Sequence, residues 1–232
     1  MVKLLPLLLV ILYGLAMYRF SAWRTARDLD TRSTELADGR LKALTDRMAQ
    51  ALDLERIRVH IYEIAAINGL AAPDGRIFIT RGFYDQYRKG TVSAEELASV
   101  IAHELGHVAL GHSRRRMIDF SGQNAMRVAL ATVLNRFIPG VGAWIAAMAT
   151  SLLAARLSRQ DEFEADAYAS ALLVKAGIGT APQKSLFDKL GHLTGNFGTA
   201  SPAWLMSHPK AEQRIAAIEA REARWSRPPI AP

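Results

Sequence analysis

A chain of 232 residues, 50% hydrophobic and 22% charged, can bury a sizeable core, which excludes a disordered or fibrous protein and suits one domain with an appendage. The absence of cysteine excludes disulfides and thiolate metal ligands. A net charge of +7 could serve nucleic acid, but the arginines are scattered without an aromatic-basic motif, and a membrane surface with anionic lipid accounts for the excess as well; no nucleic-acid partner is expected.

The chain opens on an apolar stretch. Leu4 to Tyr18 carries no charge, and if Arg19 snorkels the hydrophobic reach extends to about 20 residues, enough to cross a bilayer. Tyr18, Phe20 and Trp23 supply an aromatic belt. Residues 1–23 are therefore expected to anchor the protein in a lipid membrane as a single transmembrane helix. A cleaved signal peptide is the alternative, with Gly14 and Ala16 as a small-x-small site, although Arg19 so soon afterwards is unfavourable for export. Arg19, Arg24, Arg27 and Arg32 follow the span, so the positive-inside rule favours the cytoplasmic side for what comes next.

Residues 24–40 are polar and charge-rich, a linker or solvated helix. Over 41–223 the pattern becomes that of a folded domain. Leu41, Leu44, Met48 and Leu52 recur at i, i+3, i+7 and i+11, which predicts an amphipathic helix. Val59 to Ile64 and Arg76 to Thr80 read as β-strands, with Pro73-Asp74-Gly75 as a turn between them.

Ser93 and Glu96 then form the capping-box pair of a helix whose apolar stripe is Leu97, Val100, Ile101, Leu105 and Val108. On it lies His103-Glu104-Leu105-Gly106-His107, the H-E-x-x-H pattern. At roughly 100° per residue the two histidines are about 40° apart and one turn from each other, so both imidazoles can address one metal ion. Glu104 falls beside them, placed to act on a water at the metal rather than to ligate it. That is the arrangement of a zinc hydrolase with a carboxylate as general base. A third protein ligand is still required. His112 is a poor candidate, because on a continuous helix it faces away from His103; it reads as a polar residue near a helix end after Gly111.

The segment from Ala125 to Leu157 is apolar and alanine-rich, interrupted by Arg127, Asn135, Arg136 and the turn-forming Pro139-Gly140. It predicts a helical hairpin buried in the fold, with a hairpin dipping into the membrane as the alternative. Downstream, Glu162 and Asp166 lie one turn apart on one helix face. Glu162 could ligate zinc while Asp166 accepts a hydrogen bond from a ligating imidazole; a solvated acidic face is the other reading. Gly177 ends this helix. Leu186, Phe187 and Leu190 mark another, and Ala211, Ile215 and Ile218 the last; the tail 224–232 is expected to be disordered.

His103-Glu104-Leu105-Gly106-His107 together with Glu162-Phe163-Glu164-Ala165-Asp166 resembles the HtpX-like peptidases, gluzincins related to the type I CaaX prenyl proteases. Ser207-His208-Pro209, with Arg214 beyond it, matches a third landmark of that family, and the likeness covers roughly Val59 to Glu219. It implies a mostly helical α+β zinc peptidase domain with a small β-hairpin or sheet beside the active-site helix. It also implies one zinc held by His103, His107 and Glu162, Glu104 as base, Asp166 behind a ligand, and His208 and Arg214 leaning over the zinc to stabilise the oxyanion. In that family the second strand edges the cleft, so an extended polypeptide would pair with Arg76, Ile77, Phe78 and Ile79. The expected function is a membrane-anchored metalloendopeptidase in membrane or envelope protein quality control. The rival is a membrane-tethered chaperone or assembly factor whose zinc site is blocked by His208.

Overall fold

The computed structural model describes residues 19–20, 23–24, 26–72, 74–112, 127, 130–138, 141–195 and 210–226, with the backbone alone at 152–156 and 191–195. The apolar span up to Tyr18, Arg114 to Arg116, Ser207 to Pro209 and the tail beyond Ser226 lie outside them. Among the described residues no helix is long and apolar enough to cross a membrane.

The elements follow the order β1 (Ser33–Glu35), α1 (Gly39–Ala51), β2 (Val59–Tyr62), β3 (Gly69–Ala71), β4 (Ile77–Thr80), α2 (Arg81–Arg88), α3 (Ala94–Ala109), α4 (Gly142–Lys175), α5 (Ala181–Gly195) and α6 (Ala211–Trp225). The fold is thus α+β and mostly helical, with a small mixed sheet. The helix predicted from Leu41, Leu44 and Met48 is α1: all three are buried, and the Asp38 carboxylate accepts from the Arg40 and Leu41 amides to cap it. Residues 24–40 are more than a linker. Their second half contributes β1, and Leu29 is buried against Ala72 and Phe78.

The sheet runs β1-β2-β4-β3. The two strands legible in the sequence, β2 and β4, pair in parallel, whereas the turn at Asp74-Gly75 joins β4 to β3, with Gly75 at φ +85°. This corrects the expectation that Arg76, Ile77, Phe78 and Ile79 offer a free edge to substrate. β4 has a partner on each side, Ile77, Phe78 and Ile79 are at most 1% exposed, and the Arg76 guanidinium is occupied by Asp30 and Asp74. The physical reason is β3 itself: Gly69-Leu70-Ala71 takes the outer edge that β4 would otherwise present.

Helix α3 is the axis of the core. Both bonds of the capping box form, and the Glu96 carboxylate also receives Ser185 and Lys189 of α5. Leu97, Val100, Ile101 and Leu105 are buried in the main cluster with residues of α1, the sheet, α4 and α5. Each such burial contributes roughly 1.5–3 kcal/mol.

The hairpin expected in Ala125 to Leu157 exists in altered form. Residues 130–137 are helical, the Asn135 side chain accepts from the Ala143 amide across the turn, and α4 then continues without a break for 34 residues, roughly 50 Å at 1.5 Å per residue. It is only partly buried. Val133, Phe137, Ile138, Val141, Trp144 and Met148 are all exposed, Phe137 to 75%, whereas Ala146 and Thr150 are buried, and the main core cluster takes in α4 at its later turns. The last helix runs to Trp225, so the predicted disordered tail begins too early at Arg224.

Candidate metal centre

Two helices cross where the motif residues lie. A Cβ on Gly106 would come 3.0 Å from Cα and O of Ala165, so these two small residues let the backbones of α3 and α4 touch. The approach carries His103 and His107 of α3 up to Glu162 of α4. The two imidazole Nε2 atoms are 3.1 Å apart, Glu162 Oε2 is 3.2 Å from the first, and Oε1 is 3.4 Å from the second. Four-coordinate zinc with bonds of about 2.0–2.2 Å has donors about 3.3–3.6 Å apart, so the three donors stand nearly where one tetrahedral ion would hold them. All three side chains are buried, Glu162 completely. The donor set of two imidazoles and a carboxylate, without thiolate, suits a catalytic zinc that keeps a position open.

Each ring is braced at its far nitrogen. His103 Nδ1 is 3.0 Å from Asp166 Oδ1, which the sequence placed behind a ligand. Asp166 in turn receives the fork of Arg214, Nε to Oδ2 and Nη2 to Oδ1, both at 2.6 Å. Arg214 is completely buried, and its guanidinium lies over the Phe187 ring, 4.0 Å from the centroid. Burial alone would raise the Asp166 pKa. The charge and hydrogen bonds of Arg214, aided by His103, outweigh it and hold the carboxyl well below its usual range. Burial acts against charge on His103, yet hydrogen bonds to Asp166 and Glu162 raise its pKa to about 9. Ligation needs the neutral ring, so a cation arriving here displaces a proton.

Arg214, expected at the oxyanion, is engaged behind the ligating ring: its Nε and Nη2 bond Asp166, and Nη2 lies 3.3 Å from His103 Nδ1, the ring nitrogen that meets Asp166. His208 lies outside the described residues. His112 is also misjudged by the sequence: it is fully buried, and its Nδ1 is 3.0 Å from His107 Nδ1. The opposite-face argument assumed a continuous helix, but α3 ends at Ala109, and Gly111 at φ +69° turns the chain back beneath His107. Glu164 Oε2 meets His112 Nε2 at 3.2 Å.

The strand of the sheet next to the motif glutamate is β3. Asn68 O accepts from the Thr80 amide and the Ala72 amide donates to Arg76 O, so alternate residues bond inward to β4 and Gly69 and Ala71 turn their backbone groups to the outer edge. One of these, the Gly69 amide, is met by its neighbour's Asn68 Oδ1 at 3.1 Å. Among the described residues no further strand covers that edge. A Cβ on Gly69 would fall 2.8 Å from Val100 Cγ1 and 3.1 Å from Glu104 Oε1, which places this edge against the glutamate of the H-E-x-x-H motif.

The model of peptidase family M48 matches residues 35–222. The chain is 28% identical over 182 residues to the metalloprotease LoiP of Escherichia coli strain K12, covering 78% of this chain and 69% of that one. It is 26% identical over 230 residues to a protease HtpX homolog of Chlorobium phaeovibrioides, covering 85% and 77%. It is also 32% identical over 144 residues to a putative beta-barrel assembly-enhancing protease of Vibrio cholerae, covering 60% and 29%. With nearly all of its folded part inside those bounds, the chain belongs to peptidase family M48 and is a zinc metalloendopeptidase.

Proposed function

We propose that His103, His107 and Glu162 hold the zinc and that Glu104 is the general base of peptide-bond hydrolysis. The supporting observation is the convergence of three buried donors, 3.1–3.4 Å apart, from two helices distant in sequence. When bound, zinc supplies a Lewis acid that polarises the scissile carbonyl and makes water acidic enough to deprotonate near neutrality. Glu104, buried one residue along from His103, takes the proton of the attacking water and returns it to the leaving amine. Asp166 keeps the proton of His103 on Nδ1 and so leaves the Nε2 lone pair for the metal. Arg214 keeps Asp166 ionised and aligned. By the family likeness, His208 remains the candidate donor to the developing oxyanion.

The substrate is an extended polypeptide laid along β3. Backbone groups of Gly69 and Ala71 would add it as a further strand, a mode that tolerates varied sequences. The uncharged apolar stretch Leu4 to Tyr18, and the exposed hairpin that precedes and opens α4, support attachment to a membrane. One relative's name joins proteolysis to beta-barrel assembly. Together these favour quality control of membrane or envelope proteins. Glu104→Gln should retain zinc yet lose cleavage of casein by at least about 100-fold, the scale of general acid–base catalysis. Cleavage by that variant at the wild-type rate would remove the mechanism.

A further inference from the structure

The ring of His107 raises a question that His103 does not. Its Nε2 faces the donor cluster, and its Nδ1 lies 3.0 Å from another imidazole nitrogen, the Nδ1 of His112, with the ring centroids 5.1 Å apart and the planes inclined at 68°. Two imidazole nitrogens can bond at that distance only if one carries the proton and the other a lone pair.

We propose that His112 is a positioning residue for His107, a neutral imidazole that accepts the His107 Nδ1–H and passes the constraint outward to Glu164. The inference rests on His107 being a zinc ligand through Nε2, as argued above. A neutral ring with a bare Nε2 carries its proton on Nδ1, so His107 is the donor of the pair. The Nδ1 of His112 is then the acceptor, and its own proton is on Nε2. That atom lies 3.2 Å from Glu164 Oε2, with Asp161 Oδ1 at 3.7 Å. Each link has one polarity, running from the metal position through two rings to a carboxylate at the surface. His103, by contrast, is braced directly by a buried carboxylate.

The same geometry argues against a second metal site, although His112, Asp161 and Glu164 could by distance gather around an ion. An ion on His112 Nε2 would force that ring's proton onto Nδ1. It would then oppose the Nδ1–H of His107 at 3.0 Å, two donors without an acceptor. Zinc on His107 and an ion on His112 are therefore mutually exclusive with the hydrogen bond between the rings.

The test uses the full chain in detergent, in a Glu104→Gln background so that no turnover intervenes. Zinc affinity is measured by chelator competition, and proton positions by NMR of histidines labelled with nitrogen-15. His112→Phe should weaken zinc by about 10–100-fold, the usual cost of losing an outer partner of a ligating histidine. His112→Asn, whose Oδ1 can stand in for the accepting nitrogen, should recover most of that loss. A residue that merely fills space would give the opposite order, because Phe replaces the ring volume better than Asn. In the parent protein His107 should be protonated at Nδ1 and His112 at Nε2, a readout that needs no His112 substitution to fold. Unchanged zinc affinity in His112→Phe, weaker binding by Asn than by Phe, or a proton on His112 Nδ1 would each overturn the proposal. So would a second zinc equivalent that disappears with His112. A parent that binds no zinc would sink the peptidase mechanism itself, and the relay with it.

Discussion

Asp166 is completely buried between an imidazole and a guanidinium. Replacing it with Asn keeps the shape but leaves the Arg214 charge buried without its counter-ion. Breaking such a pair costs about 3–5 kcal/mol. Asp166→Asn should therefore lower the free energy of unfolding by that amount in denaturant titration and weaken zinc about 10–100-fold; a change in stability below about 0.5 kcal/mol would show that the fork carries little. Four of the residues in this cluster were legible from the sequence, because i, i+4 spacing on a helix fixes which side chains share a face: His103 with His107, and Glu162 with Asp166. His112 and Arg214 were not legible in their actual places. The first depends on a backbone reversal at Gly111 that ends the helical periodicity, and the second on the docking of α6, which no local pattern encodes.

Between elements, the decisive contact is the crossing of α3 and α4 at Gly106 and Ala165, the small residues inside the two signature segments. A methyl group on Gly106 meets backbone that cannot rotate away, so the helices must separate by a few tenths of an ångström. Gly106→Ala should cost about 1–3 kcal/mol of stability, as overpacking does, and should weaken zinc although no ligand is altered. An Ala variant with parental zinc affinity would show that the crossing has slack. The strands illustrate the limit of reading elements one at a time. β2 and β4 were visible from their β-branched and aromatic residues, but their parallel pairing was not. β3 was missed, since three residues of Gly, Leu and Ala carry no strand signal of their own. That short strand nonetheless takes the edge beside Glu104 and moves the expected substrate contact from 76–79 to 69–71.

For the whole molecule, the uneven burial of α4 separates a packed catalytic end from an apolar protruding one. Phe137 and Trp144 are 75% and 60% exposed, and the sequence from Ser121 to Gln160 holds four arginines and no acidic residue. An exposed apolar patch of this kind marks an interaction site, and aromatic and basic residues together suit a lipid interface. In full-length protein reconstituted into vesicles, with the other tryptophans replaced by Phe, brominated acyl chains should quench Trp144 as they quench a single tryptophan at Trp23. Quenching at Trp23 alone would put the hairpin in water. The central claim, however, is that a carboxylate on α4 completes the imidazole pair on α3. It is tested most directly by the zinc affinity of Glu162→Ala measured by chelator competition. The account predicts one zinc per wild-type chain and at least about a 100-fold loss in the variant, since one of three protein ligands is gone; an unchanged affinity would contradict it.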